Sequence, residues 1–298
     1  MRVVLVGLLL VCAGCASIVQ RSGPPIDPTL LMLVPADSTS LAWIKMEKLV
    51  KTAGYTELAK SGTVGGALDL IAAQTTYDPR KDIWELLIVS NGAQSVMLAR
   101  GKYAALGMDV EFKKEGTTRS DYHGQSLVAS GGVVLTFISS SCLAIGTRQS
   151  LEWLVDARAG KRLAVPPSLM ALADKMDRKN QVWWASTAPA AMIPAKSPVV
   201  GGAFGNILTN LPRLLSGVNT LTGEMDFSAG LALSLHAGFV DEAHARESSG
   251  AMNGFLAIAQ ATAPKQKELL DSMKISTSGA DVAVTFQVPI AQVAKLVP

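Results

Sequence analysis

Residues 124–147 form a run of 24 positions without a charged side chain, and this run limits what the chain can become. A membrane helix needs about 20 consecutive apolar residues, so length alone permits one. The internal pattern argues against it. Gly131-Gly132 and Ser139-Ser140-Ser141 cut the run at strand-length intervals, leaving apolar pieces at 125–129, 133–138 and 142–145. Short apolar pieces bounded by Gly and Ser are the mark of buried strands. Thr147 then stands where a helix cap belongs, ahead of Leu151, Leu154 and Val155 on one helical face, and Gly160 is placed to end that helix. Consecutive strands leading into a covering helix predict an α+β body.

The same alternation of apolar runs and turn residues extends both ways along the chain. A first strand is expected over 39–45, and three- and four-residue apolar spacing predicts helices over 47–61 and 64–74. Ile83–Ser90 and residues 94–100 are strand-like and meet at Asn91-Gly92. That dipeptide suits a tight hairpin, in which both turn residues take positive φ. A short helix is expected over 103–108. Beyond Pro166-Pro167 the pattern predicts a helix over 168–176 and a strand over 181–186 containing Trp183 and Trp184. Strands follow over 217–226 and 230–238, then a helix over 241–261 and another after Pro264. A hairpin over 275–277 and 282–288 comes next, and Pro289 is placed to open a last helix.

The two halves follow a similar plan. Trp43 answers Trp183, the pair of runs around Asn91-Gly92 answers the pair ending Ala237-Gly238-Phe239, and Cys142-Leu143-Ala144-Ile145 answers Asp281-Val282-Ala283-Val284. The offset stays near 140 residues throughout, as an internal duplication requires. The expected class is therefore α+β, with two similar repeats, each a mainly antiparallel sheet with helices packed on one face. The repeats would cover 30–165 and 166–298. In this layout the body resembles exported proteins of a two-repeat kind.

Export is read from the other end of the chain. Met1-Arg2 is a short positive region, residues 3–11 are continuously apolar, and Ala13-Gly14-Cys15-Ala16 follows. The apolar run is too short to span a bilayer and has the length of a cleaved signal. Ala13-Gly14-Cys15 resembles the lipobox that ends bacterial lipoprotein signal peptides, although Cys12 stands where that family usually has Leu. The resemblance implies removal of residues 1–14 and acylation of Cys15. It also implies anchoring to a membrane through that lipid, and Ala16 after the Cys implies sorting to the outer membrane of a Gram-negative host, facing the periplasm. Residues 15–29, with Pro24, Pro25 and Pro28, are expected to tether lipid to body.

Composition fits such a body and closes other routes. Hydrophobic residues make up 49% and charged residues 17%, enough to build a core. Net charge is +3 with the basic residues scattered singly or in pairs, so no nucleic-acid partner is expected. Cys142 is the one cysteine after Cys15 and sits in an apolar run, which predicts a buried inert thiol. Cys12 and Cys15 also spell a redox or metal spacing, but inside a hydrophobic leader it lacks the strand-helix context that such a site needs.

The chain carries few residues in patterns that chemistry requires. The nucleophile, nucleotide-cradle and zinc-protease motifs are missing, so no catalytic, cofactor or metal residue is nominated. His123 lies in a loop, and His236 alternates with Ala232 and Ser234 toward solvent or a groove. Asp241, His244 and Glu247 share a helix face in metal-like spacing, but an acidic first helical turn explains them better. Glu224 and Asp226 share one strand face, as do Asp109 and Glu111, in the manner of solvent-facing positions. Residues 197–212 carry no charge yet contain three glycines, and Val199, Val200, Phe204, Ile207 and Leu208 mark an apolar surface for a ligand or partner. The leading expectation is a lipid-anchored envelope protein that binds a protein partner or an apolar ligand without catalysis. The alternatives are an envelope hydrolase using His123 or His236 as base, and a purely structural component.

Overall fold

Strict alternation of buried and half-buried residues makes Ile83–Ser90 a strand with two covered faces, since period two sends successive side chains to opposite sides. Among the described residues twelve strands, of varied burial, build the scaffold. The computed structural model describes residues 26–60, 69, 78–103, 117–130, 133–192, 217–262 and 270–293. In chain order the strands are β1 Ser40–Ile44, β2 Ile83–Ser90, β3 Ser95–Gly101, β4 Thr118–Tyr122, β5 Gln125–Ser130 and β6 Val133–Ser139. They continue as β7 Cys142–Gly146, β8 Val182–Ser186, β9 Val218–Asp226, β10 Gly230–Phe239, β11 Lys274–Ser278 and β12 Asp281–Pro289. All twelve join one sheet in the order β11-β12-β10-β9-β8-β1-β2-β3-β7-β6-β5-β4. Every neighbouring pair is antiparallel. The α+β class and the antiparallel sheet expected from sequence are both present.

The sheet is continuous across Pro166-Pro167, so the chain does not form a separate sheet on either side. β1 and β8 pair in register, setting Trp43 opposite Trp183 with ring centroids 5.9 Å apart. Had the halves kept separate sheets, each would have left a central strand edge open to solvent, and edge pairing removes that cost.

Helices cover both faces of the sheet rather than one. These are α1 Pro28–Leu31, α2 Met46–Leu49, α3 Ala53–Ala59, α4 Pro79–Asp82, α5 Arg148–Ala159, α6 Pro167–Ala173, α7 Glu242–Thr262 and α8 Ile290–Val293. On the face carrying Trp43, Leu87, Leu98 and Trp183, the core is closed by Leu30 of α1, Leu151 and Leu154 of α5, and Leu169 of α6. Each of these side chains is fully or almost fully buried, worth about 1.5–3 kcal/mol apiece. The opposite face gathers Met46 and Leu49 of α2, Tyr55 of α3, Phe137 and Leu143. Farther along that face, Ala245 and Met252 of α7 pack on Ala237, Val282 and Val284. The physical reason is that both faces of the central strands are apolar, so both need a cover.

Two local expectations change. The β2–β3 connection spans residues 91–94, where Asn91 Oδ1 accepts from the amides of Ala93 and Gln94, and Gly92 alone of the dipeptide takes positive φ, at 90°. The tight turn with two positive φ values lies at His123 (50°) and Gly124 (79°), between β4 and β5. The last residues of the expected tether belong to the body: Ile26 is 1% exposed, and Asp27 caps α1 with Pro28 in its first turn. The expected helices over 64–74, 103–108 and immediately after Pro264 lie outside the described residues in whole or large part.

Candidate functional site

Of the residues nominated from sequence, Cys15 and the apolar set Val199, Val200, Phe204, Ile207 and Leu208 lie outside the described residues, as do Asp109 and Glu111. The histidines are placed, and they fall in three separate settings.

His123 projects from the β4–β5 turn, 62% exposed, with Nε2 3.7 Å from Asp156 Oδ1. Its neighbour Tyr122 donates to the same carboxylate at 3.1 Å, and the two rings meet edge to face at 4.5 Å. A histidine, a carboxylate and a hydroxyl thus do converge, but on open surface. His244 stands in the first turn of α7, where Asp241 Oδ1 accepts from its amide at 2.9 Å and pairs with Nδ1 at 2.8 Å. Those two bonds hold the Asp241 carboxyl below its ordinary range. The cap explains this acidic turn, and among the described residues no group of three His, Cys, Asp or Glu side chains is placed to hold a metal. Cys142 is buried, and burial pushes its thiol up to about 12, so it carries little thiolate.

His236 belongs to a different surface. On β9, β10, β12 and β11, alternate positions of the Trp43 face turn polar: Glu224 pairs with Ser234, Ser234 with Thr285, and Thr285 with Lys274. The next row holds Asp226, Ala232 and Gln287. With Asn180 and Ser272 at its rim, this patch lines a shallow cavity of about 390 Å³. Small-molecule sites begin near this size.

Both carboxylates in the cavity are held by local donors. Glu224 accepts from the Asp177 amide at 3.2 Å and from the Asn180 side chain. Asp226 accepts from the amide and hydroxyl of Ser228, at 2.9 and 2.6 Å. Burial raises the Asp226 carboxyl, but the Ser228 and Gln181 hydrogen bonds outweigh it and keep the group below its ordinary value. The Lys274 side chain makes no ion pair or hydrogen bond within the described residues and is exposed. Ser234 Oγ lies 3.0 Å from His236 Nε2, and His236 itself points outward.

Glu224, Asp226, Ser234 and His236 lie on polar strand faces, as their alternation in the sequence predicts. Lys274, Thr285, Gln287 and Asn180, which no local pattern links to them, join Glu224, Asp226 and Ser234 at the cavity. Alternation at Ala283, Thr285 and Gln287 was the available signal for the β12 part.

Neither a scan of protein-family models nor a search of curated proteins gives a match. Among solved structures, crystal form I of TP0453 aligns over 89% of this chain and 95% of its own, at 12% identity and TM-score 0.47. Crystal form III of TP0453 aligns over 91% of this chain and 97% of its own, at 11% identity and TM-score 0.48. These likenesses concern the path of the chain and assign no ligand or activity to it.

Proposed function

We propose that this chain is a cell-envelope lipoprotein, held to a membrane by lipid on Cys15, whose body is a non-catalytic binding scaffold. The observation that carries the binding role is the polar face of β9–β12 with its cavity, which no helix lines among the described residues, on a sheet whose apolar central strands are closed by helices on both sides. The address rests on the leader and the Ala13-Gly14-Cys15 lipobox. Among the described residues no helix is long and apolar enough to cross a membrane. Two or three acyl chains give stable attachment, at about 0.8 kcal/mol per buried CH₂, whereas one chain alone is marginal. Ala16 favours the outer membrane of a Gram-negative host, with the body in the periplasm.

The test has two parts. Cells expressing the chain are fed an alkyne fatty acid, and the wild type is compared with Cys15→Ser; label on the wild type only is expected, and equal label on both sinks the anchor. The lipidated protein is then purified in mild detergent and examined by mass spectrometry for stoichiometric partners or small molecules. A second reading, an envelope hydrolase, draws on the 3.0 Å contact between Ser234 Oγ and His236 Nε2. No carboxylate orients that histidine among the described residues, which leaves the dyad short of the usual third member.

A further inference from the structure

We propose that the cavity on β9–β12 binds a short linear zwitterion, an oligopeptide of three or four residues with a free ammonium and a free carboxylate end. This deepens the binding reading given above and rests on it. The charges in the cavity are sorted by strand: Glu224 and Asp226 stand on β9, Lys274 on the edge strand β11, and two strands separate them. Neighbouring strands lie about 4.8 Å apart, so the acidic and basic backbone positions are about 14 Å apart across the floor. An extended peptide rises about 3.4 Å per residue, which matches three or four residues between its termini.

The two ends are arranged differently, and both differences favour a ligand. Neither Glu224 nor Asp226 forms an ion pair within the described residues, yet both are oriented by amide, amide-side-chain or hydroxyl donors. Among the described residues they form a preorganised anionic end with no cation beside it. Lys274 is the converse, an exposed cation whose side chain has no anion beside it among the described residues. The floor between them is neutral: Ser234, Thr285 and Gln287 offer donors and acceptors of the kind that peptide groups bond. The cavity volume of about 390 Å³ is of a size that a few small residues fill.

Isothermal titration of the full lipidated chain in mild detergent tests this, with tetra-alanine as probe. The free peptide is expected to bind with Kd on the order of 0.1 mM. N-acetylation or C-terminal amidation is expected to weaken it about tenfold each. Lys274→Gln should lose the response to amidation while keeping that to acetylation, and Asp226→Asn the reverse. Capped and free peptides binding the wild type equally, or no binding of either, overturns the assignment, and neither result depends on a variant folding. Sedimentation showing a dimer that Lys274→Gln dissolves also overturns it, by making a second copy the occupant. If tetra-alanine does not bind while a stoichiometric partner co-purifies, the zwitterion site falls and the binding reading stands. Cleavage of tetra-alanine that stops in Ser234→Ala overturns the non-catalytic reading and supports the peptide site.

Discussion

Glu85 is a carboxylate 5% exposed within an otherwise apolar face, and its partners show how the chain tolerates it. Its oxygens accept from Trp43 Nε1 at 2.9 Å and Arg100 Nε at 2.6 Å. Arg100 in turn lies 3.3 Å from Asp27 and 4.9 Å from the Trp84 ring, so the cation is shared between two acids and an aromatic face. Asp27 thereby fastens the entry of the body to the sheet just after Ile26. Burial raises its carboxyl, but hydrogen bonds from Thr29 and the nearby Arg100 prevail and hold it below its ordinary value. A folded pKa below the unfolded one means stability that is present above the unfolded value, about 3.9, and lost as pH falls through the folded one. Asp27→Asn keeps a cap but removes this contribution, so it should lower stability by about 0.5–1 kcal/mol at neutral pH, a figure already reduced for partial exposure. Urea titrations at neutral pH and near pH 2 check it: the gap between wild type and variant should close in acid, and a gap that persists there counts against the charge as its cause.

At the scale of elements, legibility followed how local the chemistry is. Thr147 was readable as a cap because the bond that makes it one is three residues away: its Oγ1 accepts from the Ser150 amide at 3.1 Å. Thr147→Ala should therefore destabilise the protein by about 1 kcal/mol, seen as a lower denaturation midpoint with unchanged slope, whereas Thr147→Asn should restore most of it. The start of α1 carried an equally local signal, Asp27 before Pro28, but it was masked by the preceding prolines, which resemble a tether. β4, Thr-Arg-Ser-Asp-Tyr, was not readable: it is an edge strand, largely exposed, and an edge strand need not alternate. The cavity was half readable. Each polar strand face shows in the alternation, but which faces adjoin depends on strand order, and no local pattern encodes that β10 lies between β9 and β12. Gly223 illustrates the same limit, since a Cβ there would meet the Trp184 ring at 2.1 Å, a constraint set by a strand some forty positions earlier.

For the whole molecule, the decisive contact is the β1–β8 pair. Read outward from it, the strand order is β1-β2-β3-β7-β6 on one side and β8-β9-β10-β12-β11 on the other. The two sides correspond strand for strand in chain order, and we propose that they descend from a duplicated unit, with β4, β5 and their hairpin particular to the first. Whatever their origin, neither side is closed without the other. Leu169 and Leu172 of α6, from the second half, pack in one cluster with Leu41 and Trp43 of β1, from the first. Gly54 of α3 approaches the β9–β10 turn so closely that a Cβ would sit 2.0 Å from the Gly230 carbonyl, and its amide donates to Phe227 at 2.9 Å. A chain cut at Pro166-Pro167 would expose a strand edge and a tryptophan on each piece. Expressed alone, residues 26–165 and 166–298 should each aggregate or lack a cooperative melt. Expressed together they should recombine one to one, with the far-ultraviolet circular dichroism of the intact chain. A monomeric 166–298 fragment that melts cooperatively would show that its sheet closes without β1, and would make the central pairing a docking of two finished units.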